Sequence, residues 1–551
     1  MGSNDNIKEF FKDNSIEFKE DTIYLILVPP MVCSRCEGII KPFIYEVKKK
    51  DKNAEVALFA FYPRREALSK YLNDRNFKAD HIIASTDYSF LENFSFSTDK
   101  MQAPYILKMT VNGDMLVGKS TLGMDLDEAF IKWIISYNKC SIKTESKKRK
   151  DSQASLAPEL AISSLNKIAL KPYKEIIIGE TPEFPISKCL YPSLDTDRKY
   201  FAFMDELSFN IYIYKITDNT AYFFTSIKPD SEVEKMYIDE SIGDSLYYVL
   251  KQMNIVNSMF FGSTFLDDNL IISASLPNIF FEDEEKENLA YFNQVSYLYY
   301  NIASREYIKN VSPKLSIDSE LTRDHINTTI LNDGKIFFIP VSKGWPISGH
   351  ENLSEVENKD NPFLESFYDN NPIFSVYDNS GEFITYLGKL DPMFEKYWLG
   401  YSYSNPLAAY DNGTYWITDS YAGIINGYSD IDNPQLTKNI EVFKNNLDER
   451  YPDEANALEY IKSFSELLRT QITHLKVMND TIYCIIKQGD YYISKTLNKE
   501  GETLQEAFLP NKFGNTNIES YWISAIKNKA NIVGVFSSND EYKLVLFNPI
   551  F

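Results

Sequence analysis

Histidine and cysteine are scarce in this chain: 4 His and 5 Cys among 551 residues. Cys33, Cys36, Cys140, Cys189 and Cys484 are too few for a disulfide scaffold of this length, and the last three stand far apart. Zinc takes four ligands, and the first 140 residues offer Cys33 and Cys36 no second CxxC and a single histidine, His81, so no metal site is expected. Long apolar runs are missing too. A bilayer span needs about 20 such residues, whereas the longest candidate, Ile23 to Val28, is stopped by Pro29 and Pro30 and fits one buried strand. The opening Met1-Gly2-Ser3-Asn4-Asp5-Asn6 has neither a basic n-region nor an apolar h-region, so a secretory signal is expected either to have been removed or never to have existed. Basic charge is short overall, with 57 Lys and Arg against 78 Asp and Glu. The first 150 residues hold 24 basic and 21 acidic residues and the remainder 33 and 57, so the acidity belongs to the later part. Such a field argues against nucleic-acid binding, which depends on neutralising phosphates.

What is abundant is aromatic: 38 Tyr and 37 Phe within a hydrophobic content of 44%. That is enough for packed cores, and it leans toward strands, whose half-buried surface suits aromatic rings. A chain of this length calls for more than one domain, although a propeller can absorb several hundred residues as one closed unit.

The first 140 residues alternate strands and helices. Thr22 to Val28 is expected as a strand, followed by a helix from Cys36 to Lys50 with Ile39, Ile40, Phe43, Ile44 and Val47 at helical spacing. A strand over Glu55 to Tyr62 and a helix over Arg64 to Leu72 come next. Pro104 opens a strand through Met109, and Asn112-Gly113 suits a type I′ turn into Asp114 to Gly118. Asp125 to Tyr137 has the pattern of an amphipathic helix capped by Asp125.

This order, with Cys33-Ser34-Arg35-Cys36 where a strand turns into a helix and Ala103-Pro104 directly before a strand and hairpin, resembles the thioredoxin fold. The resemblance implies a redox-capable pair: Cys33 as nucleophile, Cys36 as the resolving thiol, and Pro104 as the cis-proline that faces them and shapes substrate contact. Arg35 and the helix N-terminus would favour the thiolate. The chain departs from the family pattern in four places. Val32 stands where a Trp precedes the first cysteine, and Ile26 and Leu27 lie near the position of a buried acid. Pro42 is displaced by about one residue from the usual proline, and Glu37 adds negative charge beside Cys36.

From 141 to 160 the pattern fails, and the run Lys143 to Ser152 has little but charge, as in a solvated tether. The region 161–551 then repeats a phrase: an apolar residue, a short turn cluster, and a strand. Copies begin at Leu194, Leu266, Leu331, Tyr410, Met478 and Ile526, spaced by 72, 65, 79, 68 and 48 residues. The first four exceed a minimal blade of about 40–50 residues, so the excess belongs to loops. A second hairpin follows most copies. The chain ends one strand short, and Tyr173 to Ile178 is positioned to supply it and close the ring. The phrase resembles the six-bladed propellers of Gram-negative envelope lipoproteins, and tandem β-sandwiches are the alternative. The polar Ser3 to Asn6 is similar to the tether after the acylated cysteine of such lipoproteins. That implies an envelope location, in the periplasm or at the outer membrane, with a lipid anchor on a removed N-terminal cysteine.

The expected fold is therefore multidomain: a thioredoxin-like α/β domain over 1–140, a linker over 141–160, and an all-β six-bladed propeller over 161–551 with a helical insert near 448–470. In the propeller His325, His350 and His474 are scattered and carry no catalytic pattern. Glu282 to Glu285 lack the oxygen spacing of a calcium loop, Cys484 sits in an apolar strand, and the aromatics of Tyr397 to Tyr401 suit packing. Two functions are carried forward, neither with a cofactor. One is an envelope binding or scaffold protein whose propeller engages a protein partner or nutrient-uptake complex. The other is a thiol-disulfide oxidoreductase using Cys33, Cys36, Arg35 and Pro104, its substrate positioned by the propeller. A hydrolase or lyase in the propeller funnel has no residue behind it.

Overall fold

A computed structural model of the chain describes residues 22–28, 34–62, 64–74, 77–85, 104–110, 115–120, 170–229, 231–252, 258–281, 289–314, 322–323, 328–331, 334–342, 361–369, 371–444, 464, 468–538 and 541–548. It divides into two compact units. The first is Met1–Ser163 together with Glu180–Lys188 and Glu206–Ser208, and the second is Ser164–Gly179, Cys189–Asp205 and Phe209–Phe551.

In the first unit β1 (Thr22–Val28), α1 (Ser34–Lys50), β2 (Ala54–Phe61), α2 (Arg65–Asp74), β3 (His81–Ser85), β4 (Tyr105–Thr110) and β5 (Met115–Ser120) follow in order. The sheet runs β3-β2-β1-β4-β5. β1 is parallel to β2 and β2 to β3, whereas β4 is antiparallel to both β1 and β5. β1 is buried along its length, as an unbroken apolar run requires. Tyr24, Ile26 and Val28 on one of its faces pack with Ile40, Phe43, Ile44 and Val47 of α1 and Leu68 and Leu72 of α2. β3 is an addition to the expected elements: its five residues are too short for a periodic signal. The helix expected over Asp125 to Tyr137, the Asn112-Gly113 turn and the 141–160 linker lie outside the described residues.

The second unit is a six-bladed β-propeller, each blade an antiparallel meander. Its inner strands are Cys189–Leu194, Met259–Leu266, Thr329–Leu331, Pro406–Asp411, Thr470–Met478 and Thr516–Ile526. Each hairpins into a second strand: Tyr200–Asp205, Asn269–Phe281, Ile336–Ser342, Thr414–Asp419, Thr481–Gln488 and Lys529–Ser537. All six copies of the repeated phrase fall on these inner hairpins. Three of the turns hold two consecutive residues at positive φ, Asn412 and Gly413 (47° and 81°), Asn479 and Asp480 (50° and 59°), Lys527 and Asn528 (48° and 58°). That conformation matches the twist of the flanking strands, which is why Asn, Asp and Gly recur there. Neighbouring turns also touch: the Lys527 N–H donates to the Thr196 carbonyl at 3.1 Å and the Asp480 N–H to Asp411 Oδ2 at 2.9 Å.

The ring closes with β6 (Pro172–Gly179), which forms the outer strand of the last blade beside Tyr542–Phe547, with Ile176 opposite Leu544 and Ile178 opposite Tyr542. Ile177–Gly179 also pair with Thr220–Tyr222, the outer strand of the first blade. Ile176 and Ile178 are buried while Ile177 between them is 45% exposed, the alternation of a half-covered strand. Lys543 clamps the same seam to Glu175 at 2.9 Å.

Wedges between neighbouring blades consume the aromatic wealth. Tyr297, Tyr299, Phe337 and Tyr377 fill the gap between blades two and three. Phe338, Phe374, Phe394, Tyr397, Leu399, Tyr401 and Tyr415 fill the next, so the Tyr397–Tyr401 segment is core. Cys484 is fully buried, and its burial pushes the thiol up to about 12, consistent with a small apolar residue. Of the insert near 448–470, Phe464 is helical and buried, Thr470 already opens the fifth inner strand, and the rest lies outside the described residues. If β6 is the clasp of the ring, Ile176→Ala should cost about 2–5 kcal/mol in urea unfolding, while Ile177→Ala should stay within about 0.5 kcal/mol.

Candidate functional site

The six inner strands surround a central channel enclosing about 400 Å³. Every blade contributes to its wall: Tyr191 and Ser193; Ser263 and Thr264; Thr329 and Leu331; Leu407 and Ala409; His474 and Lys476; Trp522 and Ser524. The size falls within the roughly 300–1,000 Å³ of small-molecule sites, and so does the mixture of apolar wall and a few convergent polar groups. Tyr191 takes a positive φ of 49° at a bulge, and Gly262 lies against it so closely that a Cβ there would come within 3.2 Å of its ring stem. The ring position thus depends on a missing side chain across the channel.

Charge enters chiefly on one strand. On Thr470–Met478 a bulge between Ile472 and His474 sets the register. Beyond it Leu475 and Val477 pack between blades four and five, His474 and Lys476 alternate with them onto the other face, and His474, Leu475 and Lys476 all line the channel. Burial lowers His474 to about 4, helped by the neighbouring Lys476 charge and opposed by a hydrogen bond to the backbone of Ile523. The imidazole is neutral at physiological pH. Burial also lowers Lys476, and Asp411 opposes that shift through its field. Lys476 has no ion pair among the described residues. Asp267, exposed at the second blade's turn, is an acid of the lining.

Among the described residues, two polar atoms of wall side chains are buried without a hydrogen-bond partner: the Trp522 indole Nε1 and Ser263 Oγ. Trp522 as a whole is 7% exposed, with its ring stacked on Phe201 at 6.3 Å. Ser520 Oγ, two residues earlier on the same strand, is likewise unpartnered. Buried donors left unpaired cost about 1–3 kcal/mol each.

Of the residues singled out from sequence, Cys33 lies outside the described residues, and Arg35 and Cys36 are described only as positions in the first turn of α1. Pro104 is buried directly ahead of β4; its bond to Ala103 falls outside the described residues. His325, His350 and Glu282–Glu285 lie outside them as well. Among the described residues no three His, Cys, Asp or Glu side chains gather to hold a metal, and no helix is long and apolar enough to cross a membrane.

The functional residues that sequence reasoning missed are His474, Lys476 and Trp522. His474 looked like a scattered histidine. The signal was available in position: each lies two to four residues before a copy of the repeated phrase, on the strand that becomes the channel wall. His474 and Lys476 also stand two apart, which puts them on one face of a strand.

No family model matches the chain, and no curated protein does. Among solved structures it is similar to a member of the DUF4221 family from Bacteroides vulgatus, at 13% identity and a TM-score of 0.39, over 70% of this chain and 98% of that one. A Bacteroides fragilis protein proposed to be exported aligns at 9% identity and a TM-score of 0.36, over 68% and 93% of the two chains. Regucalcin of Agrobacterium tumefaciens, a calcium-binding protein, aligns at 11% identity and a TM-score of 0.34, over 70% and 98%.

The state of His474 leads to a pH test. Its folded pKa lies below the unfolded value, so between about pH 6.5 and 4 the unfolded chain binds a proton that the folded chain refuses. Stability from this residue is complete above pH 6.5 and falls as pH drops toward 4, by on the order of 2–3 kcal/mol. His474→Gln should flatten that part of the pH profile in denaturant titrations.

Proposed function

We propose that this chain is a binding protein whose propeller takes up a small ligand in its central channel. The observation that carries the proposal is the channel itself, about 400 Å³ with wall residues from all six blades and Lys476, which has no ion pair among the described residues, in its lining. A site of that kind holds a ligand without needing a nucleophile, base or metal. The setting we assign is the bacterial cell envelope, on the strength of the resemblance of the repeated phrase to the propellers of envelope lipoproteins, with a protein partner or uptake complex meeting the long connections between blades. Two of these connections carry short helices, Asp244–Gln252 and Pro392–Lys396, and long ordered loops on a rigid scaffold commonly carry recognition. Thermal-shift screening of the full chain against a metabolite library, beside Thr264→Trp, tests the channel. Thr264 is exposed on the wall, so the indole fills the cavity at little cost to the core. A compound that raises the melting midpoint of the parent chain and not of the variant supports the proposal; equal shifts in both put the binding elsewhere.

A second activity is proposed for the first unit: thiol-disulfide exchange at Cys33 and Cys36 in a thioredoxin-like domain. It is supported by the strand order β2-β1-β4-β5, with β1 and β2 parallel and β4 antiparallel to β1, by the start of α1 at Ser34, and by buried Pro104 ahead of β4, which pairs with the strand leading to the cysteines. Cys33 attacks and Cys36 resolves the mixed disulfide. Insulin-disulfide reduction by the prereduced chain should be lost in Cys33→Ser; activity unchanged by that substitution would remove the redox role.

A further inference from the structure

We infer that the ligand of the channel is a small organic monoanion, a carboxylate whose head group is taken by Lys476 and whose body lies along the hydroxyl-lined wall. The inference rests on the channel being the binding site and goes further in assigning the ligand's chemistry.

Lys476 is the one cationic side chain on the wall among the described residues, and it faces the cavity with no ion pair among them. The carboxylate whose field reaches it, Asp411, is engaged elsewhere, accepting from the Asp480 N–H at 2.9 Å and from the Asn412 amide at 3.3 Å. Desolvating an ammonium without a partner is costly, and an anion entering the channel supplies what the protein leaves out. His474, the nearest ionisable neighbour, adds no charge: one ring nitrogen is committed to the backbone of Ile523, and burial keeps the ring neutral. The lining holds this one cation and one exposed acid, Asp267, so a ligand of low negative charge is favoured: a carboxylate over a phosphate monoester, which carries about two charges at neutral pH.

The rest of the wall fits a polar ligand body. The hydroxyl residues Ser193, Thr264, Thr329 and Ser524 line it and can pair with polar atoms there.

The test is a set of matched pairs at constant ionic strength. The full chain is titrated calorimetrically with acetate, glycolate and benzoate, each beside its neutral amide, and the same series is run on Lys476→Met, Lys476→Arg and Thr264→Trp. Methionine keeps the length of the lysine stem without its charge, and arginine restores the charge should the methionine chain lose folded protein. The inference expects at least one acid to bind about tenfold or more tightly than its amide, in line with a charge-assisted hydrogen bond. That preference should vanish in Lys476→Met, return in Lys476→Arg, and disappear with all binding in Thr264→Trp. Acid and amide binding alike, both blocked by Thr264→Trp, would keep the channel as a site and overturn the anion assignment, as would an acid preference that survives Lys476→Met. Phosphate binding more tightly than every acid overturns the monoanion. Absence of any binding sensitive to Thr264→Trp overturns both.

Discussion

The propeller depends on one strand. Five blades each take their four main strands from consecutive sequence, while the sixth is completed by β6, residues 172–179, from the other end of the unit. Without that strand, Tyr542–Phe547 would present an open edge of backbone donors and acceptors, and the first and last blades would meet only along their inner strands. With it, the seam holds a full antiparallel ladder, a short parallel ladder to the first blade, and the buried side chains of Ile176 and Ile178. Closure is what makes the inner strands a wall rather than a row.

A closed wall has a chemical consequence. Strands alternate side chains between faces, and an inner strand, the edge of its blade on the channel, has a neighbouring blade against each face. Leu475 and Val477 therefore pack toward blade four, and His474 and Lys476 lie on the opposite face, with His474, Leu475 and Lys476 all along the channel. Tyr521 and Ile523 pack between blades five and six and Trp522 stacks on Phe201 of the first blade, with Trp522, Ile523 and Ser524 along the cavity. The depressed basicity of His474 and Lys476 follows chiefly from burial by the ring as a whole, with the Lys476 charge adding to the shift of His474.

The fold was legible wherever its determinants were local. The six inner hairpins stood out because a tight turn between twisted strands demands Asn, Asp or Gly at left-handed backbone angles, a requirement met within a few residues. The closing strand was legible from counting, since the last blade lacked one. The channel residues were not legible in the same way. A lone histidine or lysine in a strand gives no sign of which wall it faces until the bulge at Thr473 and the blades on either side are known. In the first unit, short β3 escaped notice because five residues cannot show a period.

Residues alone thus determined the blade count, the turns, the apolar wedge material and the position of the clasp, because each is set by local backbone geometry or by the composition needed to fill a core. Only the tertiary structure decided that His474, Lys476, Trp522 and Ser263 share one cavity. They lie on three different inner strands, separated by up to 259 positions in the chain, and their meeting depends on the ring being closed. Burial, which lowers the basicity of the first two and encloses the polar atoms of the last two, belongs to that assembly and to no segment of the sequence.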